Sequence, residues 1–134
     1  MNYKIYELLK KLNKLALKND DVPVSCIILF KNKIIAKAYN KRNLNKNPLD
    51  HAEIIAIQKA SKKLNSYNLS ECELYCSLRP CKMCESIIKE SKIKKVYYIL
   101  DNKKENNYKT EYICIEDQNN YFKTELQHFF KEKR

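Results

Sequence analysis

Two short motifs bring together the side chains in this chain that could do chemistry: His51-Ala52-Glu53 and Pro80-Cys81-Lys82-Met83-Cys84. They offer one imidazole and two thiolates. That makes three protein ligands for a tetrahedral zinc ion, with the fourth position left to water. Such an ion lowers the pKa of its water toward neutrality. Glu53, two residues past the imidazole, is the group to move protons on and off that water, first as base and then as acid.

The local setting of each motif supports this chemistry. Pro80 suits a first helical position, which starts a helix over 81–91 with Cys81 and Cys84 in its opening turn. Unpaired amides and the helix dipole there favour thiolates. The three-residue spacing sets both sulfurs on one helical face. His51 opens a second helix at the end of a loop. Taken singly, each piece has other readings: a Cys-x-x-Cys can be a redox dithiol, and a lone His is more often structural. A zinc ribbon would need a second close cysteine pair, and Cys72 and Cys76 have the wrong spacing. Jointly the motifs match the signature of zinc-dependent nucleobase deaminases.

The elements that must position these residues follow from hydrophobic periodicity. Ile5, Leu8, Leu9, Leu12, Leu15 and Ala16 predict an amphipathic helix over 3–18. Val24 to Phe30 is a continuous apolar run, as in a strand covered on both faces. Lys31-Asn32-Lys33 turns the chain, and Ile34 to Tyr39 returns as a second strand. A loop over 40–49 leads to Asp50, a candidate cap for a helix buried through Ile54, Ile55, Ile57 and Leu64. Cys72 to Leu78, Val96 to Leu100 and Tyr112 to Ile115 are further strands. A last helix runs from about Tyr121, with Phe122, Leu126, Phe129 and Phe130 on one side. Strands alternating with helices give a three-layer α/β fold, with residues 1–134 as a single domain.

Composition narrows the function classes. The 134 residues carry 44% apolar side chains, ordinary for a folded domain, and no window is long and apolar enough for a membrane span. Met1 to Lys18 mixes Lys and Asn with its leucines, so it lacks the apolar centre of a secretion signal and the expected location is cytoplasmic. Of the six cysteines, Cys26, Cys72, Cys76 and Cys114 sit in or beside strand-like runs, as core or strand-edge residues. A net charge of +11 is the footprint of a phosphate-rich partner. The abundance of Lys, Asn and Ile fits an A/T-rich coding sequence equally well.

Beyond its metal motifs, the chain resembles the bacterial tRNA-specific adenosine deaminases of the zinc-dependent cytidine/deoxycytidylate deaminase superfamily. The resemblance runs through Val22-Pro23-Val24, Ala38-Tyr39-Asn40, Pro48-x-x-His51-Ala52-Glu53 and Pro80-Cys81-x-Met83-Cys84. It continues through Ser91-Lys92-Ile93-Lys94-Lys95-Val96, Asp101-x-Lys103 and Phe129-Phe130-Lys131. It implies a cytidine-deaminase-like α/β/α fold with a five-stranded mixed sheet. It implies zinc held by His51, Cys81 and Cys84, with Glu53 catalytic, in the hydrolytic conversion of the wobble adenosine of an arginine tRNA anticodon to inosine. Asn40 would hold the flipped base, and Phe129, Phe130 and Lys131 the anticodon stem-loop. The active unit would be a homodimer.

Each carried-over residue has a plainer role open to it: Asn40 as a turn former, Phe129 and Phe130 as core, the terminal lysines as a solvated helix end. Departures from the family pattern are Arg79 where Glu is usual, and Asp50 beside the ligand histidine. Others are Ser25, Cys26, Ser86 and Ile87 at commonly small positions, and a short 101–112 segment. These bear on substrate choice more than on the metal. The alternatives are a deaminase of a free base or nucleotide, such as guanine or cytosine, and a non-catalytic zinc-stabilised RNA-binding subunit.

Overall fold

Strand β1 (Ser25–Phe30) shows why this sheet needs two covers: Cys26 and Ile28 point to one face, Ile27 and Leu29 to the other, and all four are buried. The computed structural model describes residues 3–102 and 110–133. Lys103, most of the 101–112 segment and Arg134 lie outside them.

Strand β2 (Lys33–Tyr39) returns antiparallel to β1 over a turn in which Lys31 and Asn32 both have positive φ, as two-residue hairpin turns require. The chain contains no glycine, so Asn, Asp and Lys fill the left-handed positions of the described residues. On its other side β1 pairs antiparallel with β3 (Cys72–Leu78). Strand β3 pairs in parallel with β4 (Lys95–Leu100), and β4 with β5 (Glu111–Cys114). The order β2-β1-β3-β4-β5 is the five-stranded mixed sheet expected of the resemblance.

Helices α3 (Ala52–Leu64) and α4 (Lys82–Glu90) cover one face. There Ala52, Ala56, Ile57, Ala60 and Ile88 pack on Cys26, Ile28, Leu74, Cys76 and Val96. Three of those α3 residues are alanines, whose small side chains let the helix lie close to the sheet. Helices α1 (Tyr3–Lys18) and α5 (Tyr121–Glu132) cover the opposite face through Ile5, Tyr6, Leu9, Leu12 and Phe122. The rings of Tyr6 and Phe122 meet edge to face at 5.4 Å. Among the described residues no helix is long and apolar enough to cross a membrane. All six cysteines are free; Cys26, Cys72 and Cys76 are buried, and Cys114 is exposed on edge strand β5.

The structure departs from sequence expectation in the 40–49 loop, which contains a short helix, α2 (Arg42–Asn45). The Asp21 carboxylate accepts the amides of Asn43 and Leu44 at 2.7 and 3.3 Å. That helix-start acceptor comes from a distant segment, so local pattern does not announce it. The apolar side of α5 also differs. Phe122 is its one buried residue, and Phe130 is 50% exposed.

Beside the Phe122 contact, a polar network also ties α5 to the domain. Asn13, 1% exposed, donates to the Pro23 carbonyl at 3.0 Å and to Glu125 of α5 at 2.8 Å. Ser77 of β3 donates back to the Asn13 side-chain oxygen at 3.4 Å. Removing Asn13 takes the side-chain donor from the Pro23 carbonyl and from Glu125, while Ser77 still accepts the Ser25 amide. Asn13→Ala is expected to cost about 1–3 kcal/mol of unfolding free energy, read by urea denaturation; an unchanged midpoint would mean the network contributes nothing.

Candidate metal centre and active site

Helix α3 begins at His51, whose backbone is still extended (φ −71°, ψ 148°). Its carbonyl accepts the Ile55 amide at 3.0 Å. The cap that sequence assigned to Asp50 comes from elsewhere. Asn40, at the end of β2, accepts the Ala52 amide on its side-chain oxygen at 2.8 Å, and its amide group donates to the Val22 carbonyl at 3.2 Å. Asp50 instead accepts from the side-chain amides of Asn45 and Asn47 at 2.7 and 3.3 Å. A local acceptor thus serves the loop, and a distant one serves the helix.

Helix α4 starts one residue later than proline chemistry suggested. Pro80 precedes the cap residue Cys81, which is extended at φ −70° and ψ 173°. The reason lies in the neighbouring strand. Asn102 donates to the carbonyls of both Arg79 and Pro80, at 2.7 and 3.0 Å, keeping the chain extended through the proline.

These two starts bring the expected ligands together. The Nδ1 atom of His51 lies 3.8 Å from the Cys81 sulfur and 3.6 Å from that of Cys84, and the three donor atoms fall within 4.8 Å of one another. The Cys81 thiol is drawn down to about 5, first by the hydrogen bond it receives from Cys84. The amides at the start of α4 and the nearby imidazole add to that effect. Cys84, which gives that hydrogen bond and is buried, is pushed up. One imidazole and two sulfurs at this separation suit zinc, with one coordination position open.

Glu53 lies beside them in the first turn of α3 and is 3% exposed. Burial pushes its carboxyl up to about 7; the Cys81 sulfur also pushes upward, while a hydrogen bond with Cys84 works the other way. Its Oε1 is buried with no hydrogen-bond partner. A buried carboxylate with a free oxygen beside three metal-donor atoms costs stability, and such a cost is ordinarily retained for function.

The remaining site candidates divide. Asn40 stands next to the ligand set through its bond to Ala52. Phe129 lines a groove of about 350 Å³ with Asp20, Asp21, Val22, Arg42 and Lys46. Phe130 and Lys131 are exposed on α5, so the core alternative does not hold for Phe130. Sequence reading did not anticipate the structural role of Asn40, nor the burial of Arg79, which is 8% exposed just before Pro80. In both cases the partners lie on segments remote in sequence.

Comparison with known proteins places the chain among deaminases. Residues 2–100 match the family described as the cytidine and deoxycytidylate deaminase zinc-binding region. A tRNA-specific adenosine deaminase of Aquifex aeolicus is 42% identical over 91 residues, covering 68% of this chain and 60% of that protein. The chain spans about 60% of the length of the first curated relatives it matches. A structure from a study of A-to-I editing by tRNA:A34 deaminases superposes with a TM-score of 0.75 at 22% identity, covering 82% of this chain and 95% of the other. Guanine deaminase from Bacillus subtilis gives 0.67 at 25% identity, covering 98% and 95%.

Because Asn40 satisfies a backbone amide, its loss should be felt without any metal. Asn40→Ala is expected to lower unfolding free energy by about 1–3 kcal/mol in chelator-treated protein, measured by urea denaturation. Equal stability of variant and parent would show that the Ala52 amide finds another acceptor.

Proposed function

This chain belongs to the cytidine and deoxycytidylate deaminase zinc-binding family, and we propose that it deaminates the wobble adenosine of a tRNA anticodon, of the arginine type, to inosine. The observation that carries the enzymatic part is Glu53: a buried carboxylate with an unpartnered oxygen, set beside one imidazole and two sulfurs. A purely structural zinc site has four protein ligands and no use for an acid–base group.

In this reading His51, Cys81 and Cys84 would hold the zinc, which would supply an acidified water. Glu53 takes the proton of the attacking water and delivers it to a ring nitrogen of the base. It then takes the remaining proton from the new carbon-bound hydroxyl and gives it to the amino group, so that ammonia leaves and the ring carbon keeps the oxygen as a carbonyl. A carboxyl held near neutrality serves both directions of transfer. Asn40, already turned toward the start of α3, holds the extruded base.

The tRNA substrate draws support from the tRNA-specific relatives and from the net charge of +11. The groove that sets Phe129 beside Arg42 and Lys46, and the exposed Phe130 and Lys131, add aromatic and cationic groups at one end of the domain. Aromatic stacking and phosphate contacts are what single-stranded RNA recognition uses. We assign the active unit as a homodimer working on tRNA in the cytoplasm. The likeness to guanine deaminase over nearly the whole chain favours a second reading, in which a free base is the substrate.

Two experiments test this. Purified protein incubated with an arginine tRNA transcript carrying adenosine at the wobble position should yield inosine on sequencing. Unchanged adenosine together with ammonia release from guanine would favour the second reading. Glu53→Gln should retain about one zinc per chain by elemental analysis while losing roughly 10²–10⁴-fold in turnover; normal turnover would remove Glu53 from the mechanism.

A further inference from the structure

One buried cation stands directly before the metal motif, and no step above uses it. Arg79 closes strand β3, and its amide donates to the Leu100 carbonyl at 2.7 Å. Its side chain runs back across the sheet edge. The guanidinium lies 5.1 Å from the ring of Tyr98 on β4 and 4.7 Å from that of Tyr112 on β5. Its Nη1 donates to the Tyr98 hydroxyl at 3.3 Å and sits 3.9 Å from an Asp101 carboxylate oxygen. The residue is 8% exposed, and its Nε is buried with no hydrogen-bond partner.

An arrangement of this kind is expensive. A guanidinium removed from water with one donor unsatisfied loses solvation that two aromatic faces only partly return. What the arrangement does accomplish is directional. It ties the residue before Pro80 to β4 and β5 at once. Asn102, next to Asp101, holds the carbonyls of Arg79 and Pro80 from the same side. The chain then has no freedom to swivel before the Cys81 cap, and the heading of α4 decides where both sulfurs point.

We infer that Arg79, clamped between Tyr98 and Tyr112, is a positioning residue for the two-thiol half of the metal site. It acts through the Pro80–Cys81 joint and touches neither metal nor substrate. The inference rests on the reading that His51, Cys81 and Cys84 hold the ion. The planar group matters as well as its charge, since it must present a face to each ring.

The test is titration of the whole protein with cobalt(II), whose visible d–d bands and sulfur charge-transfer band report tetrahedral thiolate geometry. Wild type should bind one cobalt with intense bands, and Cys84→Ser, left with the Cys81 sulfur alone, should show a weakened sulfur band. Failure of wild type to bind would overturn the metal-site reading itself. With that established, Arg79→Met should weaken cobalt binding about 10–100-fold and shift the d–d bands. Wild-type affinity and spectrum in Arg79→Met would overturn the inference, whatever happens to its thermal midpoint. Should Arg79→Met fail to fold, the Tyr112 pair decides. Tyr112→Phe keeps the ring and should bind as wild type, whereas Tyr112→Leu should show the same weakening and band shift; equal binding by the two overturns the proposal.

Discussion

Two helix starts from separate parts of the chain must meet within 4 Å, and the rest of the fold serves that meeting. Strand β1 lies between β2 and β3 and runs antiparallel to both, so β2 and β3 point the same way and end at the same edge of the sheet. Helix α3 follows β2 and α4 follows β3, and both pack on the same face. Their N-termini therefore arrive as neighbours, with His51 just before one and Cys81 just before the other. The ligand convergence is a consequence of strand direction before it is a property of any side chain.

The same geometry answers an electrostatic problem. Two sulfurs and a carboxylate are gathered in a largely buried place, where like charges repel and water is scarce. The Cys81 thiol is lowered first by the hydrogen bond from Cys84, and the unpaired amides at the start of α4 add to that. Glu53 is left on the other side of the balance, pushed up by burial and by the neighbouring sulfur. A cation at the convergence point relieves this crowding.

Polar side chains, not apolar ones, join the site to its surroundings. Asn40 links the end of β2 to α3, Asn102 links β4 to the Pro80 turn, and Asn13 links α1 to α5. Asparagine can donate and accept at once, so one buried side chain bridges two segments. Through Asn13 the helix that carries Phe129, Phe130 and Lys131 is tied to α1 and to the Pro23 carbonyl.

Sequence by itself determined the five strands and the four longer helices, because each is a local matter of periodicity: the run from Val24 to Phe30 reads as a strand covered on both faces without reference to anything else. It also marked His51, Glu53, Cys81 and Cys84, since their residue types and close spacing already specify a metal-donor set with a carboxyl beside it. Tertiary structure alone decided who caps α3, why α2 exists within the loop, and where Arg79 lies. In each case the partner is remote: Asn40 for Ala52, Asp21 for Asn43, Tyr98 and Tyr112 for Arg79. Periodicity carries no information about such pairings, because a side-chain hydrogen bond or a ring stacked on a guanidinium depends on the distance between segments, which strand order and direction set.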